Sequence, residues 1–291
     1  MIDPLNDSRI SRILEEALLE DVGMGDVTTE GILLPDAIGR GDIIAKEPGL
    51  IAGLDVVHTL FQIVDRELLF TQYMNDGSAV ARSARVASVE GNLVSILKCE
   101  RTALNILQRM SGIATLTRKF VDAVNGTRAK ITDTRKTAPG LRILDKLAVK
   151  IGGGVNHRFG LDDMVLIKDN HVAAAGSIDA AIDRCLAFLS AKKYQLRIEV
   201  EATSVEEVGM VLRHTGVHRI MLDNFSTDEM RRAVELIGHS VEVEASGNVS
   251  LQSVRAIAET GVDFISVGAL THSPRALDIS LDLAPPSSQR P

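Results

Sequence analysis

The chain has no tryptophan, and aromatic residues make up only 3% of its 291 positions. A protein so poor in aromatic side chains lacks the stacking platforms on which binders of single-stranded nucleic acid depend. Its formal net charge of −7 argues the same way, because binding to a phosphate backbone needs an excess of Lys and Arg. Nucleic acid is therefore not an expected partner.

Cysteine and long apolar runs are also scarce. The two cysteines, Cys99 and Cys185, form neither a disulfide framework nor a metal-ligand spacing, which indicates reduced thiols. The opening residues MIDPLNDSRI lack the basic and apolar segments of a signal peptide, and no run approaches the about 20 apolar residues of a membrane-spanning helix. We therefore expect a cytoplasmic protein with no membrane partner.

The remaining composition is that of a globular protein, with 45% hydrophobic and 24% charged residues. Helical periodicity at 5–20 and 54–64, and again from residue 96, accompanies short strand-like runs. A glycine-containing loop is predicted at 21–29, and the runs lie at 41–46, 68–73 and 84–89. This pattern predicts an α+β unit of mixed strands and helices that ends near residue 112.

Beyond that point strand and helix patterns alternate, which predicts a parallel sheet with crossover helices. Strands are predicted at 129–134, 163–168, 196–201, 218–223, 240–245 and 263–268, with helices at 141–150, 173–190, 204–214, 227–237 and 250–260. Each strand ends in, or is directly followed by, a polar, charged or glycine residue. Six such ends favour a β/α barrel, whose strand ends meet at one mouth, over an open doubly wound sheet.

A basic segment lies within this acidic chain. Residues 128–168 contain nine Lys or Arg against four Asp, a local balance of +5. Such a segment indicates either an anionic ligand or a solvated helix face. Arg142, Lys146 and Lys150 have helical spacing and are predicted to face solvent. The cations assigned to the barrel mouth are Arg135, Lys136, His157, Arg158 and Lys168.

Acidic and glycine-containing strand ends complete the predicted mouth. Glu201 and Asp223 end successive strands, where carboxylates suit ribose hydroxyls, a hydrated Mg²⁺ or acid–base chemistry, with a plain salt bridge as the alternative. Ser246-Gly247-Asn248 and Gly268 follow the last two strands, where β/α barrels bind phosphate, although these glycines also suit simple tight turns.

Nine motifs in order resemble those of the quinolinate phosphoribosyltransferase family, also called carboxylating nicotinate-nucleotide pyrophosphorylases. They are LEDVGMGDVTT (19–29), ERTALN (100–105), DTRKT (133–137), GGGVNHR (152–158), IKDNH (167–171), EVE (199–201), MLDN (221–224), SGN (246–248) and SVG (266–268). The resemblance covers essentially the whole chain, apart from the final APPSSQRP, which is expected to be a disordered tail.

The resemblance implies an α/β fold with two domains. Residues 1–112 would form an N-terminal α/β sandwich domain, rejoined by the C-terminal segment 275–291, and residues 113–274 an incomplete parallel β/α barrel of about seven strands. It also implies a homodimer in which Arg101 reaches across the interface to the substrate of the other subunit.

The implied reaction joins quinolinate to 5-phosphoribosyl 1-pyrophosphate and releases pyrophosphate and CO₂, giving nicotinate mononucleotide for NAD synthesis. Quinolinate would be bound by Arg101, Thr134, Arg135, His157, Arg158 and Lys168. Phosphoribosyl pyrophosphate would be bound by Lys136, Glu201, Asp223, Ser246, Gly247, Asn248 and Gly268. Lys136, Lys168, Glu201 and Asp223 would be catalytic, and Glu201 and Asp223 would hold the cofactor Mg²⁺ indirectly, through water and substrate.

Three alternatives remain at this point. The first is a related branch associated with molybdenum transport. The second is a barrel lyase or aldolase in which Lys168 forms a Schiff base, since a lysine at a strand end is the usual placement for that chemistry. The third is a phosphosugar-binding protein without catalytic activity, which would need neither so many cations nor paired acids.

Overall fold

A computed structural model of the chain describes residues 7–284. They form two compact units, of which the first comprises residues 7–118, 137–153 and 271–284, and the second residues 119–136 and 154–270. The domain limits predicted at residues 112 and 274 stay a prediction. The expected disordered tail lies, from residue 285 onward, outside the described residues.

The elements up to residue 123 are α1 (Ser8–Val22), α2 (Val27–Ile32), β1 (Ile38–Ala45), β2 (Gly49–Leu50), α3 (Leu54–Val64), β3 (Leu69–Gln72), β4 (Ala79–Val80), β5 (Arg85–Asn92) and α4 (Leu93–Ala123). Those that follow are β6 (Lys130–Thr132), α5 (Arg142–Ile151), β7 (Val165–Ile167), α6 (Asp169–Ala175), α7 (Ile178–Lys192), β8 (Ile198–Ala202), α8 (Val205–Val211), β9 (Arg219–Asp223), α9 (Thr227–Ile237), β10 (Glu242–Ser246), α10 (Val254–Ala258), β11 (Phe264–Ser266), α11 (Ala269–His272) and β12 (Ile279–Leu283). None of the described helices is long and apolar enough to cross a membrane.

The first unit is built on an antiparallel sheet with strand order β12-β1-β5-β3. Helix α1 buries Ile10, Leu14 and Leu18, which recur every four residues and therefore share one face of the helix. Helix α3 begins after Gly53, where the carboxylate of Asp76 accepts hydrogen bonds from two backbone N–H groups. These caps and apolar faces position helices α1 and α3 in the core of the unit.

The second unit is a parallel sheet with strand order β6-β11-β10-β9-β8-β7. An isolated parallel bridge between Thr132 and Val155 places a seventh extended segment beside β6. No pairing joins this segment to β7 among residues 7–284, so the sheet stays open there. The predicted α/β fold with an incomplete barrel is thus confirmed, without the closure that the strand-end argument favoured.

The predicted bounds of one loop and one helix were wrong because capping residues were overlooked. Within the loop predicted at 21–29, the side chain of Asp26 accepts a hydrogen bond from the backbone N–H of Thr29 and starts α2. The helix predicted at 173–190 is divided by Gly176, which has a φ of 96°, and by Ser177, which caps α7.

The prediction of a solvated face on α5 was also wrong for Lys146. Its side chain is 0% exposed, as is that of its neighbour Asp145, whereas Lys150 is exposed. Asp145 accepts two hydrogen bonds of 2.8 Å from the guanidinium of Arg109 in α4. Helical spacing identifies residues that share a face, but it does not say whether that face meets solvent or protein.

The packing of α4 in the first unit generates a stability prediction. A Cβ atom added at Gly112 would lie 2.1 Å from the carbonyl oxygen of Arg275, a backbone atom that cannot rotate away. We expect Gly112→Ala to lower the free energy of unfolding by about 1–3 kcal/mol through overpacking. Urea unfolding followed by circular dichroism measures this loss.

Gly209→Ala in α8 is the matched control, because an added Cβ there meets nothing within 4 Å. It should leave stability unchanged or raise it by up to about 1 kcal/mol, the difference in helix propensity between the two residues. Equal effects of the two substitutions would contradict the packing assigned to Gly112.

Candidate active site

The side chains that the sequence assigns to a mouth follow the strands of the second unit at one edge. The carboxyl ends of parallel strands lie together, and this edge is where β/α barrels build their sites. Along the sheet the positions run from Arg135 after β6, through Gly268 after β11, Ser246 in β10, Asp223 in β9 and Glu201 in β8, to Lys168 after β7. The structure therefore brings these six positions to one edge.

Two arginines in this unit, Arg135 and Arg158, are close together, and neither forms an ion pair with a carboxylate of residues 7–284. The Nε of Arg135 is buried and has no hydrogen-bond partner among the described residues. Arg158 donates from Nη1 to the carbonyl oxygen of Met164 at 3.1 Å. Burial lowers the pKa of Arg158, and the positive charge of Arg135 lowers it further. Like charges held together with an unsatisfied donor form a site for an anionic ligand.

Lysine and glutamate pair on the neighbouring strands β7 and β8. The ammonium of Lys168 donates to the carboxylate of Glu201 in a short ion pair. The Glu201 side chain is 8% exposed and that of Lys168 is 42% exposed, so the pair lies at the boundary between sheet interior and solvent. Lys168 is thus an ammonium engaged by a carboxylate rather than an amine in an apolar pocket.

The loops after β9 and β10 are joined through Asn224. Its amide nitrogen donates to Asp223 at 2.8 Å, and its amide oxygen accepts from Asn248 at 3.3 Å. Gly247, with a φ of 100°, lies so close that an added Cβ would be 2.2 Å from that oxygen. Only glycine fits there, so the loop keeps its backbone open beside Asp223.

His157 lies deeper in the same unit, above two fully buried glutamates. Its Nε2 is 2.9 Å from Glu199 and 3.5 Å from Glu244, and both carboxylates are 0% exposed. Arg219 donates to Glu244 at 2.8 Å and to Glu242 at 3.0 Å. Acidic and basic groups thus alternate down the inner face of the sheet.

Burial dominates the ionisation of these acids. It raises the pKa of Glu199 to about 7 and that of Glu244 to about 7, against the attraction of nearby guanidinium groups. The negative charge of Glu199 raises the pKa of Glu244 further. The three donor atoms of His157, Glu199 and Glu244 lie within 4.8 Å of one another, a set that also suits a divalent cation.

Three predicted residues have less defined positions. Arg101 is exposed on α4 and belongs to the first compact unit, so its relation to the mouth stays a prediction. Lys136 is exposed, and its backbone N–H donates to the hydroxyl oxygen of Thr134 at 3.0 Å. Thr134 and Lys136 both lie in the second unit, directly beside Arg135.

Sequence reasoning missed Asp133 and Asn224. Asp133 is 0% exposed and accepts from the side chain of Asn156 at 2.6 Å and from the backbone of His157 at 2.9 Å. Asn224 links Asp223 to Asn248, as described above. Each of the two residues adjoins a strand end and lies within one of the family motifs, DTRKT (133–137) or MLDN (221–224). These two features of the sequence could have identified them as candidate site residues.

A parallel β/α sheet whose carboxyl edge combines two neighbouring guanidinium groups, one with an unsatisfied donor, with carboxylates defines an enzyme class that acts on anionic substrates. Residues 26–111 match the family model of the quinolinate phosphoribosyl transferase N-terminal domain, and residues 113–282 match that of its C-terminal domain. The chain belongs to the quinolinate phosphoribosyltransferase family, and the family predicted from the motifs is confirmed.

Relatives support this assignment over nearly the whole chain. A probable carboxylating nicotinate-nucleotide pyrophosphorylase of Synechocystis is 47% identical over 274 residues, covering 93% of this chain and 91% of its own. A decarboxylating quinolinate phosphoribosyltransferase of Nicotiana glauca, named as mitochondrial, is 45% identical and covers 94% and 82%. The crystal structure of NadC from Streptococcus pyogenes superimposes with a TM-score of 0.91 at 37% identity, covering 98% of each chain.

The buried acid Glu244 generates a pH prediction. The pKa of Glu244 is about 7 in the folded protein, against 4.5 for an ordinary glutamate. At a pH between these two values, the folded state therefore keeps a proton that the unfolded chain has released. This contribution to stability is fully present below about pH 4.5 and is lost as the pH rises through about 7. Glu244→Gln removes the titration, so the stability of the variant relative to wild type should rise across that window.

Urea unfolding of both proteins from pH 4.5 to 8 measures the difference. Glu235→Gln, at an exposed position of α9, controls for the loss of a carboxylate. A difference that stays constant over this pH range, or that shrinks as the pH rises, would contradict the burial of a titrating charge at Glu244.

Proposed function

We propose that the chain transfers the phosphoribosyl group of 5-phosphoribosyl 1-pyrophosphate to quinolinate and releases CO₂, forming nicotinate mononucleotide in NAD synthesis. The observation that carries this proposal is the pair Arg135 and Arg158, close together, with a buried donor that has no partner among the described residues. A dicarboxylate supplies the missing acceptors. Family membership and the names of the relatives support the same reaction.

Quinolinate is assigned to the cationic side of the mouth. A guanidinium presents a planar set of donors that matches a carboxylate, so Arg135 and Arg158 take one carboxylate each or share one. Thr134, which precedes Arg135, and Lys168, at the end of β7, complete the polar lining. His157 was predicted as a further ligand, but its side chain lies beneath these groups and is only 5% exposed.

The phosphoribosyl group is assigned to the opposite side. Glu201 and Asp223 receive the ribose hydroxyls, because they lie near the carboxyl ends of the adjacent strands β8 and β9. Ser246, Gly247 and Asn248, together with Gly268, offer backbone N–H groups to the 5′-phosphate. The exposed ammonium of Lys136 lies beside Arg135 and is assigned to the pyrophosphate.

Mg²⁺ is proposed as the cofactor because the donor set fits it. One oxygen of Glu201 accepts from Lys168 and one oxygen of Asp223 accepts from Asn224, which leaves an oxygen of each carboxylate for a further partner. Mg²⁺ prefers such hard oxygen ligands and shares its coordination with substrate phosphates and water. When bound, it neutralises charge on the departing pyrophosphate.

The chemistry needs no nucleophile from the protein. The pyridine nitrogen of quinolinate forms a bond to C1′ of the ribose while the bond from C1′ to pyrophosphate breaks, and the pyrophosphate leaves with its electron pair. Glu201 and Asp223 stabilise the positive charge that develops on the ribose. The C2 carboxylate then leaves as CO₂, its electron pair passes to the cationic ring, and C2 takes up a proton from solvent.

A homodimer and a shared site are part of the proposal. The described residues of the first unit expose a group of large apolar side chains within residues 19–38, at 71% to 108% of full exposure. They are Leu19, Met24, Val27, Ile32, Leu34 and Ile38. Apolar side chains in such number favour a protein partner, and a second copy of the chain is the partner that the family implies. Arg101, exposed on α4, would then complete the site of the other subunit.

The direct test follows the loss of quinolinate in the presence of phosphoribosyl pyrophosphate and Mg²⁺. Arg135→Ala should raise the KM for quinolinate about 10- to 100-fold, the loss expected for charge-assisted hydrogen bonds. Arg213→Ala removes an exposed arginine beyond α8, at the opposite edge of the sheet, and should change neither constant. No consumption of quinolinate, or equal use of nicotinate in its place, would overturn the assignment.

The aldolase alternative is tested on the same protein. Borohydride added with a carbonyl substrate should leave the mass of the chain unchanged, because Lys168 is engaged by Glu201. Covalent trapping at Lys168 would instead support a Schiff base and contradict phosphoribosyl transfer.

The shared site is tested by mixing inactive subunits. Neither Arg101→Ala nor Glu201→Ala homodimers should turn over quinolinate at the normal rate. A mixed dimer contains one mouth in which both residues are intact, so it should recover part of the activity, up to about one quarter for random exchange in an equal mixture. If no activity returns although exchange is verified by mass spectrometry, Arg101 does not act across the interface.

A further inference from the structure

The imidazole of His157 has a defined tautomer. Its Nδ1 accepts a hydrogen bond of 2.8 Å from the backbone N–H of Arg158. A ring nitrogen that accepts from an N–H group holds a lone pair, so the proton of the ring lies on Nε2. The ring is therefore the neutral Nε2–H form, and its Nδ1 is occupied by protein.

The other ring nitrogen faces two carboxylates. Nε2 faces Glu199 at 2.9 Å and Glu244 at 3.5 Å, and it meets neither carboxylate with the geometry of a straight hydrogen bond. Both carboxylates thus lie within ion-pair distance of the same ring nitrogen. The His157 side chain is only 5% exposed, so little of the ring is left for a ligand.

The backbone of His157 is fixed from the opposite side. Its N–H donates to Asp133 at 2.9 Å, and the side chain of Asn156 donates to the other oxygen of Asp133 at 2.6 Å. The backbone N–H of Asp133 in turn donates to Val155 at 3.3 Å. Asp133 directly follows β6, so these bonds fasten residues 155–157 to the sheet.

Arg158 is the residue that this arrangement orients. Its backbone N–H is held by the His157 ring, and its guanidinium donates to the carbonyl oxygen of Met164. Neither contact uses a carboxylate, so the guanidinium keeps its remaining donors for a ligand. The direction of Arg158 thus depends on the ring that precedes it.

We propose that His157 is a positioning residue rather than a substrate ligand: a neutral Nε2–H imidazole, held between Asp133 and the Glu199–Glu244 pair, that aims Arg158 at a carboxylate of the substrate. The identity of that substrate rests on the proposed function, but the tautomer and the orientation do not. This replaces the prediction that His157 itself binds quinolinate.

The spectroscopic test uses the full-length protein labelled with ¹⁵N-histidine, with the signals of His157 assigned by their loss in His157→Phe. At pH 7.5 and without ligand, Nδ1 should resonate as an unprotonated nitrogen and Nε2 as a protonated one, and quinolinate should leave this pattern in place. Protonation of both nitrogens, or of Nδ1 alone, would overturn the proposal. A proton on Nδ1 alone would leave Nε2 free to bind a cation together with Glu199 and Glu244.

The kinetic test separates positioning from binding. His157→Phe keeps a ring but loses the acceptor for Arg158, so it should raise the KM for quinolinate at least tenfold while the KM for phosphoribosyl pyrophosphate stays within about twofold. His157→Asn restores an oxygen near the place of Nδ1 and should recover most of the affinity. Equal impairment of the two variants, or no impairment of either, contradicts positioning; melting curves establish that both are folded.

The two tests also separate this inference from the proposed function. If wild-type protein consumes no quinolinate but shows the Nε2–H tautomer, the reaction is wrong and the arrangement around Arg158 stands. If quinolinate is consumed and the tautomer differs, the reaction stands and His157 has another role.

Discussion

Charge balance in the interior of the parallel sheet is the constraint on which the second unit depends. Glu199, Glu201, Glu242 and Glu244 all come from two E-V-E segments whose alternate residues point to one face. An unpaired carboxylate in such a place would cost several kcal/mol, so each must meet a cation or keep a proton. The interior of the sheet is therefore lined by ion pairs, an imidazole and buried acids rather than by the apolar layers common in this architecture.

The stack is ordered from the amino ends of the strands to the mouth. Arg197 pairs with Glu242 at 2.5 Å, and Arg219 bridges Glu242 and Glu244. His157 then covers Glu199 and Glu244, and Lys168 covers Glu201. Arg135 and Arg158 come last, and among the described residues no carboxylate pairs with either. These two guanidinium groups are therefore the ones expected to meet the carboxylates of the substrate.

Sequence patterns predicted the positions at the mouth but not the contacts beneath it. Strand alternation and strand-end residues were sufficient to place Lys168, Glu201, Asp223 and Ser246, because a parallel sheet fixes which ends are neighbours. The partners of His157 were not predictable in this way, since Asp133 and Glu244 are separated from it by 24 and 87 positions, and no periodicity relates them. The prediction that Lys146 faces solvent was wrong for a related reason, because the burial of this side chain depends on what α5 packs against.

Arg135 and Arg158 are proposed to form the carboxylate site of this enzyme. A crystal structure of the protein with quinolinate tests this proposal most directly. We expect a quinolinate carboxylate within hydrogen-bond distance of the Arg135 guanidinium, with Arg158 beside it and the His157 ring still bonded to the backbone of Arg158. Quinolinate bound elsewhere, or an Arg135 Nε that remains without an acceptor in the complex, would show that these arginines do not form the carboxylate site.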